Sequence, residues 1–241
     1  NGHIYKGLKP VYWCAKDETA LAEAEIEYQD DPCTTVYVKF PMKDDLGKLG
    51  HLDLSKLSFV IWTTTIWTLP GNLAIALHPD EAYAVVKAPN GEMYIMAEAL
   101  TEKVMKIGGF DSYEIVETHP GRFFENMLAQ HPFLDKTSRL LLADYVTMDS
   151  GTGCVHTAPG FGADDYQTCM RYGMEMVVPV DDQGRHTDYA GKYAGLKTDE
   201  SNPIILNDMK ESGALFASEE IVHSYPHCWR CKSPIIFRAT P

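Results

Sequence analysis

The chain has 241 residues, 45% of them hydrophobic and 23% charged, which is the composition of an ordinary globular protein with enough length to bury a sizeable core. Its net charge of −13 argues against a stand-alone nucleic-acid binder, because such a protein normally turns a basic face to the phosphates, so any nucleic acid has to be delivered by something else. No apolar run approaches the roughly 20 residues of a bilayer span and Asn1-Gly-His-Ile-Tyr-Lys6 has no signal-peptide pattern, so a soluble, cytoplasmic protein without membrane contact is expected.

In chain order, Lys9-Pro-Val-Tyr-Trp-Cys14 reads as an extended strand, and Thr19-Ala-Leu-Ala-Glu-Ala-Glu-Ile-Glu-Tyr28 begins in helix-favouring composition. Thr34 to Phe40 alternates like a half-buried strand. Phe59-Val-Ile-Trp-Thr63 is β-branched and aromatic enough to be a buried strand, and it ends where the row Thr63-Thr-Thr65 begins, well placed to line a pocket. Asn72 to Leu77 and Ala82 to Lys87 predict further strands, with Pro89-Asn-Gly91 as a hairpin signal into Met93-Tyr-Ile-Met96. Glu98 to Ile107 predicts a helix closed by Gly108-Gly109. Tyr113 to Glu117, Arg139 to Ala143, Cys154 to Thr157 and the short Val177-Val-Pro-Val180 add strands, while Asp164 to Tyr172 and Thr198 to Glu211 add helices. Many short strands with a few helices imply an α+β fold whose mostly antiparallel sheet curls toward a barrel.

The six cysteines are unevenly placed in a chain without a secretory signal, which favours thiols or a metal site over disulfides. His227-Cys-Trp-Arg-Cys231 holds a Cys-x-x-Cys pair, the spacing at which two thiolates grip one zinc ion from a tight turn. Cys14 followed by Asp17 repeats the spacing with a carboxylate in the second place, and His227 competes as a fourth ligand. The expected metal ligands are therefore Cys14, Cys228 and Cys231, the alternative being a metal-free knuckle with Cys14 packed beside Trp13. Either arrangement ties the two chain ends into a stalk, as in a domain inserted into another protein. The organisation expected is a two-ended stalk of residues 1–35 and 222–241 on a core of residues 36–221. A start without Met and a stop at Phe237-Arg-Ala-Thr-Pro241 agree with a piece of a longer chain.

The second dense stretch is Gly151-Thr-Gly-Cys-Val-His156-Thr-Ala-Pro-Gly-Phe-Gly162-Ala-Asp-Asp165-Tyr, whose glycines and Pro159 let the backbone turn sharply and approach a ligand. Asp164 with Gln167 fits a capping box, which makes Asp164 the N-cap and puts Asp165 at the first helical position with its carboxylate facing outward. Alone, such an Asp compensates a helix dipole and such a His is a core or rim residue. Together with the glycines they suggest a site in which Asp165 holds a cationic group. A Gly-x-Ser-x-Gly elbow, a phosphate-binding loop and a His-Glu-x-x-His motif are all absent from the sequence.

Trp62-Thr-Thr-Thr-Ile-Trp67-Thr-Leu-Pro-Gly-Asn72, the stretch Gly151 to Tyr166, Lys9 to Cys14, Thr19 to Glu25 and Ser224-Tyr-Pro-His-Cys-Trp-Arg-Cys231 closely resemble the editing domain inserted into isoleucyl-tRNA synthetases. The related valyl and leucyl editing domains carry Thr-Thr-Arg-Pro where this chain has Thr-Thr-Thr-Ile-Trp. The His-Ile-Gly-His and Lys-Met-Ser-Lys-Ser signatures of ATP binding are absent, so no aminoacylation is expected of this segment; ATP and magnesium belong to the parent catalytic body. The resemblance implies hydrolysis of the ester of valine mischarged onto isoleucine tRNA, with the acceptor end of that tRNA and the parent body as partners and no cofactor for editing. The need is physical. One methylene is worth only about 1–3 kcal/mol in an apolar pocket, a figure established on this same enzyme family.

By motif position the resemblance implies that Thr63, Thr64 and Thr65 line the pocket and hold the terminal adenosine and a water. It implies that Trp67 and His156 shape the amino-acid pocket, that Asp165 binds the α-ammonium, and that Asn72 is a further polar pocket residue. A positioned water attacks with help from the vicinal ribose hydroxyl, and a general-base role for His156 is the weaker alternative. Ile66 stands where the family has Pro, Phe161 where many members have His, and Asp17 where a zinc-binding Cys is usual. The rival readings are an editing domain for another aliphatic aminoacyl-tRNA and an inactive tRNA-positioning or structural zinc module.

Overall fold

The computed structural model describes residues 7–240. The hexapeptide read for a signal pattern lies outside them. Chain order runs through β1 (Lys9–Cys14), β2 (Thr19–Ala20), the long β3 (Ile26–Asp44), β4 (Leu57–Thr63), β5 (Ala74–Leu77), β6 (Ala82–Lys87), β7 (Met93–Ala97) and helix α1 (Thr101–Ile107). It continues with β8 (Glu114–Pro120), β9 (Leu128–Gln130), β10 (Thr137–Leu142), β11 (Val155–Thr157), α2 (Ala163–Arg171), α3 (Thr198–Ser212), β12 (Leu215–Cys228) and β13 (Ile236–Thr240).

Ten strands form one sheet in the order β12-β3-β9-β10-β5-β11-β4-β7-β6-β8, and an additional β3–β4 pairing joins six of them into a hydrogen-bonded ring. The pairs β10–β5, β11–β4 and β4–β7 are parallel and the others antiparallel. The α+β class and the curled, mostly antiparallel sheet are as expected. The reason is visible in β4, whose Phe59, Val60 and Ile61 are all buried because both faces of the strand are covered. Phe40, Phe59, Tyr83, Phe124 and Leu77 fill the core, and α1 and α3 add Met105, Ile205 and Met209 to it.

The ribbon β3–β12 pairs from Leu215↔Val38, past a bulge before Ala217, to Cys228↔Ile26 and leads from the ring to a second, three-stranded sheet β13-β1-β2. There β1 and β13 lie antiparallel, Lys9 opposite Thr240, so the two ends of the described chain are neighbours.

Three local expectations fail. No helix follows Thr19: Glu23–Glu25 is a single 3-10 turn and β3 begins at Ile26, because cross-strand pairing to β12 outweighs the weak helix preference of Ala and Glu. Val177–Val180 is not a strand; only Val180 makes an isolated bridge, to His186. The N-cap of α2 is Gly162, not Asp164, since the Gly162 carbonyl accepts the first helical bond from Tyr166 N–H at 2.9 Å. Asp164 and Asp165 therefore occupy the second and third helical positions.

Candidate active site

The site is assembled where β11 slots between β4 and β5. Val155 lies beside Trp62 in parallel register, and His156 lies opposite Ile75 on β5. That insertion brings the Gly-rich stretch against the Thr row across 90 residues of sequence. Gly151 makes it sterically feasible: it has φ +67°, and a Cβ there would stand 3.0 Å from the Trp62 ring.

Beyond β4 the chain enters a 3-10 turn, Ile66–Gly71, in which every side chain is buried. Ile66, which stands where Pro is usual, packs into the main core. The three hydroxyls differ in what they do. Thr63 Oγ1 accepts from Thr65 N–H at 3.1 Å and so shapes the turn. Thr64 and Thr65 hydroxyls meet only each other, at 3.4 Å, and stay half-buried. They retain hydrogen-bonding capacity for a ligand.

Two cavities meet at Thr64. The smaller, about 280 Å³, is lined by Trp62, Thr63, Thr64, Tyr145, Gly151 and His156 among others. The larger, about 740 Å³, runs between the ring and the terminal sheet past Thr64, Thr65, Trp67, Arg185 and Tyr225. Trp67 and His156 thus line different cavities. Trp67 stacks edge-on against Phe161 with centroids 4.8 Å apart, and Phe161 in turn presses on Gly71, where a Cβ would come within 2.6 Å of the ring.

Asn72 reaches neither cavity; it is fully buried behind His156. Its Nδ2 donates to Ala74 O at 2.9 Å, which fixes the amide orientation, and to His156 Nδ1 at 2.8 Å. Because Nδ1 must then accept, the imidazole proton sits on Nε2 and is donated to Thr68 Oγ1 at 3.0 Å, whose hydroxyl donates onward to Thr65 O at 2.7 Å. Burial, reinforced by the Lys136 charge, pushes His156 down to about 3. The ring is neutral, with both nitrogens engaged. No ring nitrogen keeps a free lone pair for a proton, and the orientation of His156 is set by Asn72 and Thr68. Asn72 holds it at a cost, because its Oδ1 is buried without a partner.

Asp165 does not face outward. From the third helical position its Oδ2 turns back to accept from Ala158 N–H at 2.8 Å, two residues beyond His156. Loss of hydration raises its carboxyl to about 6, with the Asp164 charge adding to the rise. Asp165 lines neither cavity; its charge reaches Tyr145, which lines the smaller one. Sequence reasoning missed Thr68 and Tyr145. The first carries a weak signal, standing three residues after Thr65 on one turn; the second carries none.

A second cluster forms at the stalk. The ligand atoms of Cys14, Asp17, Cys228 and Cys231 all lie within 4.8 Å of one another. Cys14 Sγ is 3.4 Å from Cys231 Sγ, and Cys228 Sγ is 3.5 Å from Asp17 Oδ2. A tetrahedral site with zinc–sulfur bonds of about 2.3 Å has edges of about 3.8 Å, so the donor set fits a zinc ion closely. Burial pushes the Cys14 thiol up to about 12, so a cation is what would let it deprotonate. His227 is not a ligand: its Nε2 faces Asp31 at 3.1 Å and its Nδ1 the Tyr225 carbonyl at 3.0 Å. Cys33, Cys154 and Cys169 are free thiols outside the cluster.

A family model described as the leucyl-tRNA synthetase editing domain matches residues 46–222. The chain belongs to the editing-domain family of aminoacyl-tRNA synthetases. Isoleucine–tRNA ligase of Thermoanaerobacter sp. strain X514 is 54% identical over 241 residues, covering 99% of this chain and 26% of the relative. The isoleucine–tRNA ligase of Petrotoga mobilis is 52% identical over 241 residues, covering 100% of this chain and 25% of the relative. The chain thus spans about a quarter of the length of the curated relatives it matches. Among solved structures, GlLeuRS-CP1 has a TM-score of 0.60 at 14% identity, over 78% of this chain and 99% of that one. The P. knowlesi cytosolic leucyl-tRNA synthetase editing domain has a TM-score of 0.57 at 12% identity, over 80% of this chain and 97% of that one. At those identities the likeness is of fold, and it is the editing-domain fold.

Proposed function

We propose that this domain hydrolyses the ester joining valine to isoleucine tRNA, as the editing part of a cytoplasmic isoleucine–tRNA ligase whose catalytic body uses ATP and magnesium. The observation that carries the reading is the pair of uncommitted hydroxyls on Thr64 and Thr65, set where a small His156-walled cavity meets a larger one. The α-ammonium of the substrate pairs with Asp165. The Thr hydroxyls hold the terminal adenosine and a water, His156 bounds the amino-acid space from the smaller cavity and Trp67 from the larger one that meets it at Thr64, and Asn72 holds His156.

The water adds to the ester carbonyl, the bond from that carbon to the ribose oxygen breaks, and the proton passes to the ribose oxygen. Free valine and deacylated tRNA leave. With no general base at His156, catalysis rests on orientation, with the vicinal ribose hydroxyl assisting. Zinc at Cys14, Asp17, Cys228 and Cys231 would be structural, since four protein ligands leave no open position for chemistry. Residues 1–35 and 222–241 would then form the stalk to the parent body, with residues 36–221 as the hydrolytic core.

Deacylation of isoleucine tRNA charged with valine, isoleucine or threonine tests the reading. Valine is expected to be released fastest, and Asp165→Ala to abolish release. Faster release of isoleucine than of valine, or an Asp165→Ala rate equal to that of the unaltered chain, overturns it.

A further inference from the structure

We propose that Lys136 is a positioning residue of the hydrolytic site, its ammonium holding the Leu69–Pro70 turn and, through that turn, the Thr65–Thr68 and Asn72–His156 contacts. This rests on the reading of function above.

The 3-10 turn Ile66–Gly71 ends with the carbonyls of Leu69, which accepts the closing bond from Asn72 N–H at 3.0 Å, and of Pro70, which has no backbone donor among the described residues. Both are captured by side chains of a single loop. His131 Nε2 donates to Leu69 O at 2.9 Å, and Lys136 Nζ donates to Pro70 O. The loop is rigid. His131 Nδ1 accepts from Phe133 and Leu134 N–H at 3.3 and 3.1 Å, His131 N–H donates to Lys136 O at 2.9 Å, and Gln130 Nε2 bonds the Lys136 carbonyl at 3.0 Å. Two residues past Pro70 stands Asn72, which orients His156; five before it stands Thr65, whose carbonyl receives Thr68. A cation at this end also offsets the partial negative charge of the turn.

A purely structural bond to Pro70 would be served by a neutral donor. Instead the chain half-buries an amine that has no Asp or Glu within ion-pair distance among the described residues. The Tyr189 ring lies 4.7 Å away, and burial together with the Lys136 charge holds the imidazoles of His131 and His156 unprotonated. Burial lowers the ammonium to about 8, so it is charged at neutral pH and discharges just above it.

The test is single-turnover release of valine from valyl-tRNA by the whole chain across that range, corrected for spontaneous hydrolysis, with Lys136→Arg and Lys136→Met. The substrate α-ammonium titrates over the same interval in every variant, so the unaltered protein is expected to lose kcat more steeply as pH rises through about 8 than Lys136→Arg, whose guanidinium stays charged. Lys136→Met is expected to lose about tenfold to a hundredfold in kcat at neutral pH with little change in KM, because a displaced turn misaligns the reacting groups. Full kcat in Lys136→Met, or a Lys136→Arg profile that falls as steeply as that of the unaltered protein, overturns the proposal and leaves the function standing. If Lys136→Met does not fold, the Lys136→Arg profile still decides. No release by the unaltered protein sinks the reading of function and this proposal with it.

Discussion

Asp165→Asn is expected to make the domain more stable and inactive at once. The carboxyl is raised from 3.8 to about 6 by burial, a difference of about 2 units, worth about 3 kcal/mol at about 1.4 kcal/mol each. Part of the group remains exposed, so the recoverable amount is about 1–3 kcal/mol. Asparagine keeps the acceptor that Ala158 N–H requires and removes the charge. The sign follows from linkage. A carboxyl whose folded value lies above its unfolded one binds more protons in the folded state, so the protein loses stability as pH rises from about 4 to about 6. The advantage of Asp165→Asn is therefore full above about pH 6 and vanishes below about pH 4. Thermal melts should show a rise of roughly 2–12 °C at neutral pH, taking about 2–4 °C per kcal/mol for a domain of this size, and no rise in acid. In the free protein the charge is a liability; on the proposed reading the substrate ammonium makes it favourable, so valine release should be lost. A variant less stable than the unaltered protein at neutral pH, or one that keeps its activity, would refute the assignment.

Two further outcomes follow from the geometry. The purified chain is expected to carry about one zinc ion by elemental analysis, to lose thermal stability on chelation, and to resist chelation better as Asp17→Cys; a metal-free chain with an unchanged melt in Cys231→Ser would remove the metal site. Asn72→Ala should change stability by no more than about 1 kcal/mol, since the lost bonds are offset by removal of the unpaired Oδ1, yet lower kcat for valine release about tenfold, and equal kcat would show that His156 needs no partner at Nδ1.

Much of this fold was legible because local composition and tertiary position agree. β4 declares itself as Phe59-Val-Ile-Trp-Thr63, and α1 ends at Gly108-Gly109, the second with φ +81°. Where they disagree, pairing wins: β3 takes Ile26 and Glu27 from a helix-favouring stretch because β12 lies alongside. The α2 start was misread for a related reason. Asp164 and Gln167 match a capping box, but the tight turn that bonds Phe161 N–H to Ala158 O makes Gly162 the extended residue before the helix. Only then can Asp165 reach back to Ala158. The Lys136 and His131 clamp had no signal at all, since it exists only once the β9–β10 hairpin lies against Leu69 and Pro70, more than 60 residues away.

The polar residues around the Thr row divide by how their hydrogen bonds are used. Thr63 Oγ1, Thr68 Oγ1, Asn72 Nδ2 and both His156 nitrogens are engaged inside the protein, which makes them supports. Thr64 and Thr65 hydroxyls and the second oxygen of Asp165 keep capacity, which makes them the groups that can meet a substrate. A hydrolytic site without a free base needs this division. If the water is activated mainly by being held against the ester, every support must stay rigid and neutral while the few receiving groups stay open. The depressed His156 and the elevated Asp165 serve that requirement from opposite sides: the imidazole stays uncharged at neutral pH, and the carboxylate is left in want of a cation.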